Sequence, residues 1–366
     1  MMAGSLRQNQ SLYRAMIGAL VVLVSACSGS GAAELTASAL PSEVTASPQG
    51  AAASPAAQPS ATMVFVPRVE TARPLPTGWE ARAPLPTART EVAVAALNGR
   101  IYVAGGYAAD GSTLDVVDVY DPATDSWATA APLPEGRNHM GLAALAGRLY
   151  AVGGYGGPIS ASAAAADVWA YDPEADSWSA AAPLPTPRAA HALVASDGRL
   201  FVIGGVGPEA RTTLVYAPGA DGWAALAPLP TEREHLAGAA LEGRIYAVAG
   251  RAGGRNLGTV EVYVIAEDRW EALPALLTTR SGLAAAALEG QVYVAGGEAI
   301  DGSGQTFAEV ERFDPASGQW TAAEDMPTAR HGLGAVVVDG VLYVLGGGPV
   351  AGLTVSGANE RYVPEL

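Results

Sequence analysis

All four histidines of this 366-residue chain lie just after an arginine that recurs six times. His139 and His235 follow Arg137 and Arg233 by two residues, His191 follows Arg188 by three, and His331 follows Arg330 by one. Imidazole is the commonest protein metal ligand and titrates near neutral pH, so such a set could hold a metal or move a proton. On an extended strand, alternation gives His139 and His235 one facing and His191 and His331 the other. Counted by the repeats described below, they belong to units 2, 4, 3 and 6, so no two of the same facing are neighbours. On that ground no metal, no cofactor and no catalytic residue is expected. The arginines themselves, Arg89, Arg137, Arg188, Arg233, Arg280 and Arg330, resemble a basic ring for an anion. Yet Asp118, Glu261, Glu311 and Glu360 recur at one position of four units. Arginine–carboxylate pairing would neutralise the ring, so these arginines are read as scaffold.

The elements that must position these groups are written in a repeat. Tryptophan falls at 79, 127, 178, 223, 270 and 320, and a Gly-Gly pair or its variant begins 26 residues after each, at 105, 153, 204, 249, 296 and 346. The arginine stands ten residues after each Trp, and a glycine stands twenty after it. Those glycines sit in Asn-Gly, Asp-Gly, Glu-Gly or Ala-Gly pairs between apolar runs, which predicts tight hairpins. An aromatic precedes the next Trp by seven: Tyr120, Tyr171, Tyr216, Tyr263 and Phe313. Only the stretch between the Gly pair and this aromatic changes length. Each unit therefore reads as four short strands with one elastic loop.

Composition agrees with a strand-rich fold and removes several functions. Gly numbers 44 and Pro 26, hydrophobic residues make up 49% and charged residues 16%, and all 21 basic residues are arginine. The net charge of −15 argues against nucleic acid, which needs a basic face to displace counterions. The single cysteine, Cys27, excludes an internal disulfide framework and any Cys-rich zinc module.

The first segment reads as an address. Arg7 and Arg14 precede an apolar run from Ala15 to Val24, too short to span a bilayer but suited to a secretory signal. Val24-Ser25-Ala26-Cys27 resembles the bacterial lipobox, in which the cysteine is lipidated and becomes the mature N-terminus. The resemblance implies a lipoprotein signal over 1–26, and an exported chain lipid-anchored through Cys27 to the bacterial cell membrane or cell surface. Residues 27–76, rich in Ala, Ser, Thr and Pro, are expected to form a disordered stalk. The repeats then fill 77–366.

A four-stranded unit of 45–51 residues, repeated six times with Gly-Gly, Tyr and Trp in fixed register, resembles the kelch family. The Tyr-Asp-Pro triplets at 120–122 and 171–173 belong to the same likeness, while Ala249, Ala217, Val264 and Val363 depart from it. The resemblance implies an all-β fold: a six-bladed β-propeller with four antiparallel strands per blade. Tyr362 has no Trp after it, so the N-terminal strand around Trp79 is expected to complete the last blade and close the ring.

Antiparallel order puts the Gly hairpins and the Asp-Pro turns on one face of the disc and the variable loops on the other. Binding is expected on the variable face. Residues after the Gly pairs and after the repeat arginine line the pocket of peptide-binding kelch domains. Carried over, that nominates Tyr107, Tyr155, Arg251, Glu298, Glu91, Asn138, Glu234 and Ser281, with the rim histidines His139, His235 and His331 beside them. A monomeric, membrane-tethered binding module for a protein or glycan is expected.

Kelch-like propellers also include enzymes. A copper radical oxidase needs a Tyr–Cys cross-link that Cys27 cannot supply, and sialidase boxes do not match the segments before each Trp. A sugar epimerase of the mutarotase kind stays open, with Glu91 or Glu234 and a rim histidine as its acid–base pair. Convergence of acids and histidines in one water-excluding pocket would favour the enzyme. A broad, shallow, aromatic-dotted surface would favour binding.

Overall fold

The computed structural model describes residues 76–365; the expected signal, Cys27 and nearly all of the stalk lie outside the described residues. Six four-stranded antiparallel sheets follow one another along the chain. The first is built from Ala93–Leu97, Arg100–Ala104, Val117–Asp121 and Ser126–Thr129. The innermost strand of each sheet contacts that of the next, and the sixth returns to the first. The result is a six-bladed propeller, as the repeat predicted.

Local chemistry explains each turn. The hairpin between the first two strands carries Asn98 and Gly99 at φ 53° and 73°, and the five equivalent pairs share these signs. Two consecutive positive φ values define the turn whose twist matches that of the strands it joins. The Gly-Gly pair answers to a different need. A Cβ on Gly105 would stand 2.1 Å from the carbonyl oxygen of Arg137 in the next blade. Gly106 N–H donates to that same oxygen at 2.8 Å. The pair thus lets one blade's backbone dock on the next.

Two belts hold the disc together. In the outer belt, each Trp Nε1 donates to a carbonyl of the preceding repeat: Trp127 to Ala83, Trp178 to Ala131, Trp223 to Ala182, Trp270 to Ala227, Trp320 to Pro274 and Trp79 to Glu324. The acceptor always lies four residues after the previous Trp. Each Trp also packs on its own blade's aromatic, with ring centroids 5.0 Å apart for Tyr120–Trp127 and 5.2 Å for Phe313–Trp320. Closure follows the expectation from Trp79: Gly78–Ala81 pairs with Asn359–Val363, setting Trp79 opposite Tyr362.

The inner belt is ionic. Arg89, Arg233, Arg280 and Arg330 are fully or almost fully buried and pair with Asp118, Glu261, Glu311 and Glu360 of their own blades at 2.6, 2.5, 3.3 and 3.0 Å. Blades 2 and 3 lack that acid. In blade 2 its place is taken by Trp169, and the Arg137 guanidinium lies over that ring at 4.8 Å. In blade 3 the place is taken by Leu214, and Arg188 donates to the carbonyls of Thr212 and Glu209 instead. These arginines are therefore scaffold. Trp169, the seventh tryptophan of the chain and the one outside the six-fold register, is a substitute partner for an arginine.

Candidate functional site at the channel mouth

On the variable face the residue after each arginine forms a two-residue bridge with the residue after the Gly pair. The six bridges are Thr90–Tyr107, Asn138–Tyr155, Ala189–Val206, Glu234–Arg251, Ser281–Glu298 and His331–Gly348. The next position, two after the arginine, is held by Glu91, His139, Ala190, His235, Gly282 and Gly332. All six have φ between 50° and 63°.

Their backbones form a closed hydrogen-bonded ring. His139 N–H donates to Glu91 O, Ala190 to His139, His235 to Ala190, Gly282 to His235 and Gly332 to Gly282; Val92 completes the circuit onto Gly332 O. The left-handed turn aims each of these residues at the propeller axis. Only three carry functional side chains, and these are Glu91, His139 and His235.

That geometry corrects the argument from blade order. His139 and His235 belong to non-adjacent blades, yet their rings meet edge to face at 4.8 Å across Ala190. Near the axis, a blade in between separates two side chains by very little. Glu91 Oε2 lies 3.2 Å from His139 Nε2. His331 approaches Glu91 at 3.8 Å and Glu298 at 3.6 Å. Arg251 donates to Glu234 at 2.9 Å and Glu298 at 3.2 Å, and its Nη2 lies 3.0 Å from His235 Nε2. His235 Nδ1 meets Glu234 Oε2 at 2.7 Å. A loop of three carboxylates, three imidazoles and one guanidinium thus rings the mouth.

Burial sets the protonation of this loop. Desolvation pulls His139 down to about 4, so its imidazole is neutral at pH 7. Burial pushes Glu234 up, but hydrogen bonds from His235 and Arg251 and their charges bring it to about 2. Burial likewise opposes ionisation of Glu91, and His139, His235, His331 and Arg251 together outweigh it.

Two cavities open here. One of about 110 Å³ lies at the axis, walled by the ring residues and by the layer below them: Val92, Met140, His191, Leu236, Leu283 and Leu333. The second, of about 510 Å³, runs between the loops of blades 3 and 4, past Val206, Ala210, Glu232, Glu234 and Arg251. They adjoin at Glu234–His235.

Two comparisons bear on the family. Residues 68–205 match the KLHDC2/KLHL20/DRC7 Kelch-repeats domain, and residues 232–277 and 279–327 each match the Kelch motif. The chain belongs to the kelch-repeat β-propeller family. It is 30% identical to Kelch-like protein 35 of Mus musculus over 145 residues, 40% of this chain and 24% of that one. It is 46% identical to an F-box/kelch-repeat protein of Arabidopsis thaliana over 46 residues, 13% of this chain and 12% of that one. The chain thus spans a quarter or less of the curated relatives it matches. Among solved structures it is similar to YjhT, with a TM-score of 0.65 and 18% identity over 75% of this chain and 95% of the other. That likeness concerns the fold.

In this kelch propeller the nominated residues all come to one mouth, but they do not all face solvent. Asn138, Ser281, Tyr107, Glu298 and His331 are buried. Tyr107 sits edge-on to His139 at 5.9 Å, with Tyr155 on the same imidazole at 5.5 Å. Asn138 and Ser281 serve as wall: the Asn138 Nδ2 donates to Thr113 Oγ1, and Ser281 Oγ to Asn256 Oδ1. Thr113 and Asn256 were missed in sequence because they stand in the elastic loops, where register gives no equivalence. The half-buried groups that face the open cavities are Glu91, His139, Glu234, His235 and Arg251, with Tyr155 at the rim.

His191 occupies the apolar layer below. Both its ring nitrogens lack partners among the described residues, and burial brings it down to about 3. The unfolded chain, with His near 6.5, therefore binds a proton that the folded chain refuses. Stability from this group is full above pH 6.5 and declines as pH falls toward 3, by about 1.4 kcal/mol per unit. His191→Leu is expected to flatten the urea-unfolding stability profile between pH 6.5 and 4. A profile of unchanged slope would show that His191 is not its source.

Proposed function

We propose that the protein is a binding module that takes a glycan in the groove between blades 3 and 4, with the Glu234–Arg251 bridge as its polar wall. The observation that carries this reading is the adjacency of that bridge to a cavity of about 510 Å³. Such a volume falls within the range of small-ligand sites. A planar guanidinium and carboxylates on one wall suit the paired donors and acceptors of sugar hydroxyls. Arg251 and Glu234 are only about a quarter exposed, so their geometry is preset by the ring behind them.

The test is a glycan array and a pull-down with the full chain, followed by titration of any hit. Arg251→Ala is expected to weaken binding at least tenfold, whereas Arg148→Ala, on the constant-turn face, leaves it unchanged. Equal loss in both would remove the site from this face, and a protein captured in place of a glycan would overturn the ligand class. The same reading includes export and lipid attachment. Labelled palmitate should enter the chain and be lost in Cys27→Ser; no incorporation in the parent chain would end that part of it.

A specific observation supports a second reading, a sugar epimerase or mutarotase. Acids and histidines converge as that enzyme would require, with Glu91–His139 at 3.2 Å and Glu234–His235 at 2.7 Å. Against it, the Glu91–His139 pair lines the axial cavity, whose roughly 110 Å³ is too small for a sugar ring, and of the other pair only Glu234 lines the larger groove. Saturation-transfer NMR of anomeric exchange in added hexoses separates the two readings.

A further inference from the structure

The axial cavity is too small for a sugar but well sized for an ion and its water, and its walls are rich in ligand atoms. We propose that Glu91, His139 and His235 form a divalent transition-metal site at the mouth of the channel, with ligands distinct from the walls of the adjoining glycan groove. The three side chains come from blades 1, 2 and 4 through the equivalent ring position, and their ligand atoms lie within 4.8 Å of one another. The other three ring positions, Ala190, Gly282 and Gly332, bring no side-chain donor, and the Glu91 carboxylate leans over Gly332, where a Cβ would stand 2.7 Å from its Oε1. Two imidazoles and one carboxylate, with room for water, make the donor set of an open zinc-type centre.

Each histidine already has the partner that a metal ligand needs. His235 Nδ1 meets Glu234 Oε2 at 2.7 Å and His139 Nδ1 meets Asn138 Oδ1 at 2.5 Å. With both Nδ1–H groups donating outward, both Nε2 lone pairs face the axis, the carboxylate–histidine–metal arrangement at His235 and its amide counterpart at His139. At His139 the result is a lone pair set 3.2 Å from a Glu91 carboxylate oxygen, two acceptors with no hydrogen between them. A cation relieves that opposition.

Charge leads to the same place. Three carboxylates, Glu91, Glu234 and Glu298, stand around a single guanidinium, Arg251, at this mouth. A divalent ion adds positive charge among them. In the structure Arg251 Nη2 stands at the His235 Nε2 lone pair, 3.0 Å away, in the position of a substitute cation. Loading turns the guanidinium away, onto Glu298 and Glu234, which it already contacts. Ligand atoms around one ion at about 2.0–2.1 Å lie roughly 3.3 Å apart, so the widest pair closes by about 1.5 Å.

The experiment uses the tag-free full chain, stripped with chelator and titrated with Co²⁺ alone by visible absorption, then with Zn²⁺ by calorimetry. One saturable equivalent is expected, with two exchangeable, paramagnetically shifted imidazole N–H signals in the proton spectrum of the Co²⁺ form. His139→Ala and His235→Ala should each weaken binding on the order of 100-fold, and Glu234→Gln about tenfold. Arg251→Met removes the competitor and should tighten it. Absence of saturable binding overturns the proposal, as does binding that persists in the double histidine variant. Shifted signals from fewer than two imidazoles overturn it on the parent chain alone, should a variant fail to fold. Weaker binding in Arg251→Met would exclude His235 Nε2 as the seat.

Discussion

Replacing Arg233 with alanine is expected to cost about 3–5 kcal/mol, enough to unfold a marginal domain. The guanidinium is fully or almost fully buried and donates to four groups: the carbonyls of Ala249, Thr231 and Ala247, and the Glu261 carboxylate. Removing it leaves a buried, uncompensated carboxylate and three carbonyls without that donor, and the penalty for orphaned polar groups exceeds the net worth of the pair. The double change Arg233→Ala/Glu261→Gln should therefore recover part of the loss, because it removes the stranded charge. Urea unfolding of the single and double variants measures both quantities. If the single variant loses less than about 1 kcal/mol, or the double is worse than the sum of its parts, the inner belt does not work as described. Blade 2 offers a contrast. Arg137 there lies on Trp169 and reaches carboxylates that are themselves largely exposed, so Arg137→Ala strands no buried charge.

Removing the strand Gly78–Ala81 should have an effect of similar size by another route. That strand is the fourth of the last blade and carries the Trp79 ring, 5.0 Å from Tyr362, and Glu80, bonded to Arg361. Without it, Asn359–Val363 becomes an open edge, and the Trp79 link of the outer belt to Glu324 is lost. The row of unpaired N–H and C=O groups on that edge invites pairing with a second chain. A chain lacking residues 1–82 is expected to aggregate or to unfold at a midpoint at least 10 °C lower, by an estimate from about 2–4 °C per kcal/mol for a chain of this size. Trp79→Ala is the milder form, with a loss of about 2 kcal/mol for a half-buried Trp. Light scattering and thermal unfolding report both. A truncated chain that stays monomeric and as stable as the parent would contradict ring closure by this strand.

The fold was legible because its landmarks are rigid. Trp and Gly-Gly stay 26 residues apart since both ends of that interval dock on neighbouring blades, so no insertion can be absorbed there. Closure was legible for the same reason: a Trp without a blade before it and a Tyr without a Trp after it can only be partners. The site was legible in its face and less so in its geometry. His139 and His235 do share the facing read for them, though through a left-handed residue before the strand rather than through alternation along it. Blade order was the poor guide, because it says little about distance near the axis. Tyr107, Asn138 and Ser281 were read as contact residues from their positions, but the loops of Thr113 and Asn256 cover them, and loop contacts are not written in register.

The backbone ring at the mouth gives this propeller an unusual freedom to diversify. Its hydrogen bonds use only N–H and C=O groups, so what limits each of the six positions is its left-handed φ, which penalises β-branched side chains most, and the room before it. One position can carry glutamate, two histidine, one alanine and two glycine with the same φ throughout. Each blade thus contributes one interchangeable letter to a six-letter word, spelled on a frame whose cohesion lies elsewhere, in the tryptophans and buried arginines. Specificity can drift in such an array one blade at a time, and libraries kept to residues that accept a left-handed backbone, such as Gly, Asn, Asp and His, would sample new recognition at little cost to folding.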